Sequence, residues 1–159
     1  MKSQPTKITL EEDLKFTAKQ RGAVVIAGVL KGQMEEAKTI GADQLVATDD
    51  ESAIANLSML DVVADTVTGK TAERLIAKLM PGGVFASVLG APRNAEKYPT
   101  VKVVPVYATP DTKTLQFMAE GVRDGKLVIP ISRKVPLSKA AEAQAAAEEG
   151  GIGKVLLAA

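Results

Sequence analysis

Short runs of consecutive apolar residues recur along this chain, and stretches with helical periodicity separate them. The apolar runs lie at 23–29, 44–47, 61–67 and 84–89, and the helical stretches between them at 33–40, 51–57 and 70–80. Continuous apolar runs rich in β-branched residues are typical of strands that are covered on both faces, as in parallel sheets. The alternation of such strands with helices predicts an α/β fold with a Rossmann-like, doubly wound and mostly parallel sheet.

The pattern continues towards both ends of the chain. Thr9 and Glu12 have capping-box spacing and predict a helix over 9–21. Beyond residue 100 the pattern predicts a strand over 101–108, a helix over 110–124, an extended segment over 127–135, a helix over 138–149 and a strand over 154–158. Asp49 or Asp50 is the expected cap of the helix at 51–57, and Ser138 that of the last helix.

Composition narrows the classes of function. The length of 159 residues fits one domain, and a net charge of +1 gives no electrostatic basis for binding nucleic acid or an anionic membrane. The chain contains neither His nor Cys, which excludes imidazole or thiol catalysis and zinc sites of the usual kind. The polar start, Met1 to Lys7, has no apolar signal segment, so a cytoplasmic protein is expected.

A series of short motifs stands in one order along most of the chain. They are Ile40-Gly41-Ala42-Asp43, Asp61-Val62-Val63-Ala64-Asp65-Thr66-Val67, Leu79-Met80-Pro81-Gly82-Gly83, Gly125-Lys126-Leu127, Pro136-Leu137, Ala140-Ala141-Glu142-Ala143 and Gly153-Lys154-Val155-Leu156. In this order and spacing the chain resembles the medium-chain dehydrogenase/reductase superfamily. Within it, the chain is most similar to the zinc-independent quinone oxidoreductase and alcohol dehydrogenase-like branch.

The resemblance covers only the C-terminal, nucleotide-binding half of such enzymes. It implies that residues 1–159 form a partial NAD(P)-binding Rossmann-like domain, without the GroES-like catalytic domain, the first strand or the glycine-rich loop. No Gly-x-Gly-x-x-Gly occurs, and Glu11-Glu12-Asp13 stands where that loop would be. These carboxylates repel a pyrophosphate, so cofactor binding is expected to be weak or absent.

Loss of the first strand would leave a gap at the centre of the sheet, between the strands at 23–29 and 61–67. We expect the chain to close this gap in one of two ways. Either those two strands pair directly, or residues near Lys7-Ile8-Thr9 insert between them. Bare inner edges are not expected, because unpaired backbone groups in a sheet interior are costly.

Ligands of open α/β sheets bind outside the carboxyl ends of the strands. By resemblance, Lys31 lies where family enzymes contact the adenosine ribose, and a basic residue there favours NADP over NAD. Asp65 and Thr66, together with Leu89 and Gly90, would border the cofactor's ribose and nicotinamide. Alternatively, Asp65 caps the following helix. The sequence indicates no catalytic residue and no metal ligand set in this chain.

The strand over Val101–Ala108 resembles the family strand that extends the sheet across a homodimer, although Pro105 indicates an edge or a bulge. The alternative is that Pro105 and Lys102 protect this edge and keep a monomer. For function, the first hypothesis is the cofactor-domain portion of an NAD(P)H-dependent quinone oxidoreductase or alcohol dehydrogenase, inactive alone, whose catalytic domain could be supplied in trans. The second is a cofactor-free dimerisation or scaffold module.

Overall fold

The computed structural model describes residues 6–9, 12–150 and 153–159. Its eight strands are β1 (Thr6–Thr9), β2 (Val24–Val29), β3 (Gln44–Ala47), β4 (Leu60–Asp65), β5 (Leu79–Ser87), β6 (Lys102–Pro105), β7 (Ile131–Pro136) and β8 (Lys154–Ala158). The first six form one parallel sheet in the order β3-β2-β1-β4-β5-β6, and β7 and β8 form a separate parallel pair. The prediction of a Rossmann-like, doubly wound sheet is confirmed.

Six α-helices connect these strands in the described residues. They are α1 (Glu12–Gln20), α2 (Met34–Ala37), α3 (Glu51–Ala55), α4 (Gly69–Ile76), α5 (Thr112–Arg123) and α6 (Ala140–Glu148). Each predicted helix has its counterpart, but most are shorter than predicted.

The centre of the sheet is occupied by β1. Thr6 to Thr9 pair with Val24 to Ala27 of β2, and Lys7 and Ile8 pair with Val62 and Val63 of β4. Insertion of residues near Lys7-Ile8-Thr9 is therefore the alternative that the structure adopts. The expectation that the chain closes the gap is confirmed, because the four residues of β1 satisfy the inner edges of β2 and β4.

Three local predictions need correction. Thr9 is the last residue of β1 and not the start of a helix, and α1 begins at Glu12. Lys139, not Ser138, is the N-cap of α6, because a 3-10 turn over Leu137–Lys139 precedes that helix. The helix expected to reach Met80 ends at Ile76, since Leu79 already pairs with Leu60 as the first residue of β5.

The main core lies between the sheet and the helices that cover one of its faces. The side chains of Leu60, Val63, Leu75, Ile76 and Phe85 are fully buried in it. Elsewhere, the ring of Phe16 on α1 lies 5.4 Å from that of Phe117 on α5. Gly121 of α5 allows this contact, because a Cβ there would lie 2.9 Å from the Phe16 ring.

The Ile-Gly-Ala-Asp motif has a structural role. Gly41 ends a 3-10 turn with φ of 70°, a conformation that favours glycine. The Asp43 carboxylate then accepts hydrogen bonds from Lys19 Nζ and from the Val25 backbone N–H, each at 2.8 Å. The lysine first, and then the backbone donor, hold the pKa of Asp43 below its usual value. The motif thereby fastens α1 and β2 to the start of β3.

We predict that Asp43→Asn lowers the free energy of unfolding by about 1 kcal/mol at pH 7, because it removes a charge-assisted hydrogen bond at a partly exposed site. A lowered folded-state pKa stabilises the fold above the unfolded-state pKa of about 3.9, and this stability is lost as pH falls through the folded-state value. Urea unfolding between pH 2.5 and 7 should show the two proteins converging at the acid end. A difference in unfolding free energy that does not change with pH would contradict the assignment of the effect to the Asp43 carboxylate. Glu96→Gln, at an exposed position, is the control.

Candidate functional site

The carboxyl ends of six parallel strands lie along one edge of the main sheet. This edge carries the residues that follow Val29 of β2, Asp65 of β4 and Ser87 of β5. The strand order reverses at β1, which has β2 on one side and β4 on the other. In doubly wound sheets, this reversal is where a crevice for a ligand opens.

Asp65 and Ser87 form a buried polar pair at the ends of the two neighbouring strands β4 and β5. They are partners in the sheet register, and only 3% and 2% of their surfaces are exposed. The Ser87 hydroxyl donates to Asp65 Oδ2 at 2.8 Å and accepts from the Leu89 N–H at 3.0 Å. A buried carboxylate without such donors would be strongly destabilising, so the pair depends on this network.

The other carboxylate oxygen of Asp65 organises the turn that leads into α4. Asp65 Oδ1 accepts from the backbone N–H groups of Val67 at 3.3 Å and Thr68 at 3.0 Å. The N-cap of α4 is Thr68, so Asp65 holds the connection in front of the helix and does not cap the helix itself. Thr68 has φ of 59°, which is unusual for a residue other than glycine, and the two bonds to Asp65 help to hold it there.

Leu89 and Gly90 follow Ser87 on the same edge. The Leu89 side chain is 56% exposed, and its neighbour Val88 is 53% exposed. Across the pair of strands, Val67 is 50% exposed as well. Gly90 has φ of 97°, which only glycine adopts without strain. The edge thus presents an apolar surface above a buried polar pair, with half-buried Thr66 beside it.

Lys31 lies at the end of β2, two strands away from Asp65. Its side chain is 75% exposed, and its ammonium group lies 3.6 Å from Asp50 Oδ2. Its backbone N–H donates to Asp49 Oδ1 at 2.8 Å. Asp50 also caps α3, as predicted, by accepting from Ser52 and Ala53, and the Ala53 bond is the main reason that its pKa is lowered.

The structure therefore brings Asp65, Thr66, Leu89 and Gly90 together and leaves Lys31 further along the same edge. Sequence reasoning did not include Ser87 or the Asp49-Asp50 pair in the site. A polar residue that ends an apolar strand was the available signal for Ser87. Two acids that follow the run Gln44–Ala47 after Thr48 were the signal for the pair, because β3 is the neighbour of β2.

The sequence between β1 and α1 does not provide the turn that a pyrophosphate needs. Leu10 and Glu11 stand between Thr9 and Glu12, and neither is a glycine that would let a phosphate approach the backbone. The run Glu11-Glu12-Asp13 adds three carboxylates, whose charge opposes a phosphate.

A zinc ion does not fit the donor set either. The chain has no His and no Cys, and the described residues contain no cluster of acidic side chains that could hold a metal. A cavity of about 240 Å³ lies away from the sheet edge, between α2, β7, β8 and the end of α6. Within the described part of the chain, no helix is long and apolar enough to cross a membrane.

Comparisons with known proteins agree with this geometry. The sequence profile of a family described as zinc-binding dehydrogenase matches residues 40–157. A quinone oxidoreductase from Coxiella burnetii has a TM-score of 0.80 at 23% identity, with 98% of this chain and 53% of that chain covered. An NAD-dependent alcohol dehydrogenase has a TM-score of 0.75 at 25% identity, with 98% and 52% covered.

A third solved structure, the cobalt- and zinc-bound thermostable alcohol dehydrogenase from Pyrobaculum aerophilum, has a TM-score of 0.75 at 18% identity, with 98% and 50% covered. The chain thus spans about half the length of these structures. No curated protein matches it.

We predict that Ser87→Ala lowers the free energy of unfolding by about 1–3 kcal/mol, because it leaves a buried carboxylate oxygen and the Leu89 N–H without partners. Urea unfolding at pH 7 measures this loss. Ser52→Ala, at an exposed helix position, is the matched control and should change stability little. Equal stability of Ser87→Ala and the wild type would show that the network does not hold the two strand ends.

Proposed function

This chain belongs to the zinc-binding dehydrogenase family, and we propose that it is the cofactor-domain portion of an NAD(P)H-dependent quinone oxidoreductase or alcohol dehydrogenase. It corresponds to the C-terminal, nucleotide-binding half of medium-chain dehydrogenases and reductases, as its motifs indicate. The observation that carries the proposal is the six-stranded parallel sheet, with its order reversal at β1 and the site residues on its carboxyl edge.

In a complete relative, the cofactor supplies hydride chemistry, and the protein binds and orients it. This chain would contribute the surface over which the nucleotide lies. The Asp65–Ser87 pair fixes the two strand ends, and Thr66, Leu89 and Gly90 provide the backbone and apolar contacts beside them. We propose that the chain alone is inactive, because its sequence has no glycine-rich turn for the pyrophosphate and neither His nor Cys for catalysis.

We propose NADP as the preferred nucleotide of the two, with a small margin over NAD. The exposed Lys31 ammonium group supports this choice, since it can turn to a 2′-phosphate at the end of β2. The carboxylates of Asp49 and Asp50 reduce the positive potential there, which keeps the margin small. Without a phosphate cradle, binding of either nucleotide is weak in the chain as it stands.

A second candidate function is a cofactor-free dimerisation or scaffold module derived from the same fold. The specific observation in its favour is β1 itself, which completes the sheet while the sequence after it contains no glycine-rich phosphate-binding motif. In this case the chain functions by pairing the free edges of its sheet with another chain. In both cases we propose a cytoplasmic protein that binds neither nucleic acid nor membranes, in keeping with its net charge of +1.

We predict that the wild-type chain binds NADPH and NADH with dissociation constants weaker than about 1 mM, measured by calorimetric titration. Replacing Leu10-Glu11 by the six-residue turn Gly-Ala-Gly-Gly-Val-Gly should strengthen NADPH binding by about tenfold or more, because backbone N–H groups then face the pyrophosphate. A Ser-Ala-Ser-Ser-Val-Ser turn of the same length is the control.

Two results would count against this account. Low-micromolar binding of NADPH by the wild type would show that another feature anchors the phosphates. No gain from the glycine turn would favour the cofactor-free module, because the rest of the site would then not recognise a nucleotide.

We propose that the chain forms a homodimer through the segment Val101–Ala108. Its strand part, β6, is the last strand in the order of the main sheet, so one of its edges pairs with no other strand of the described residues. Val101 and Val103 pack against the core, which leaves Val104 on the opposite side of the strand. Two-fold pairing of identical edges satisfies the free backbone groups and closes the assembly.

We predict a dimer at tens of micromolar by light scattering. Val104→Lys should shift it towards monomer, because the two added ammonium groups, one from each copy of β6, repel each other where the two edges meet. Met59→Lys, at a residue that is 49% exposed elsewhere, is the control and should leave the dimer intact. A wild-type monomer at these concentrations would end the proposal and favour the protected edge with Pro105 and Lys102.

A further inference from the structure

We draw no further inference here: the strongest candidate, the exposed apolar face of α5 that Leu115 and Val122 share, carries no proposal, because nothing in the structure shows what covers it.

Discussion

The pairing of β1 with both β2 and β4 is the constraint on which the rest of the structure depends. Four residues satisfy the inner edges of two strands that would otherwise be bare. This pairing sets the spacing of the sheet and hence the position of each carboxyl end. It also creates the reversal of strand order at which doubly wound sheets form their ligand crevice. Without β1, nothing would fix the distance between β2 and β4, and hence between Lys31 and Asp65 at their ends.

The same pairing explains how the chain keeps the fold of a nucleotide-binding half although its sequence lacks the glycine-rich turn for the phosphates. The strand is present, but the sequence between it and α1, Leu10-Glu11, contains no glycine. The Asp65–Ser87 network on the other side of the reversal is complete and buried. The residues proposed for the ribose and nicotinamide side are thus held in an ordered network, whereas the sequence offers no glycine turn for the phosphates. That imbalance is the physical basis for proposing weak cofactor binding.

Much of the fold could be predicted because its signals are local. The runs that became β2, β3 and β4 are apolar and continuous, and Gly22 and Gly41 mark the approach to the first two of them. The position of β1 could be inferred only as one of two alternatives, since Lys7-Ile8-Thr9 is short and gives no periodic pattern. Ser138 was a misleading cap signal, because a 3-10 turn moved the start of α6 beyond it.

The site was less accessible to sequence reasoning, because its contacts join distant parts of the chain. Asp65 was identifiable from its place at a strand end, but its bond to Ser87 spans 22 positions. The acids near Lys31 come from the next strand, so a search of the local sequence found none. Leu89 and Gly90 were placed by resemblance, and the structure adds that they lie beside the Asp65–Ser87 pair.

Hydrogen exchange at the backbone amides of β1 tests the central claim most directly. If Lys7-Ile8-Thr9 forms the inner strand of the sheet, its hydrogen-bonded amides should be protected to a degree similar to those of Val25 and Ile26 in β2, because inner strands open only when the sheet does. Exchange of the β1 amides at the rate of an unstructured peptide, with β2 still protected, would contradict the account.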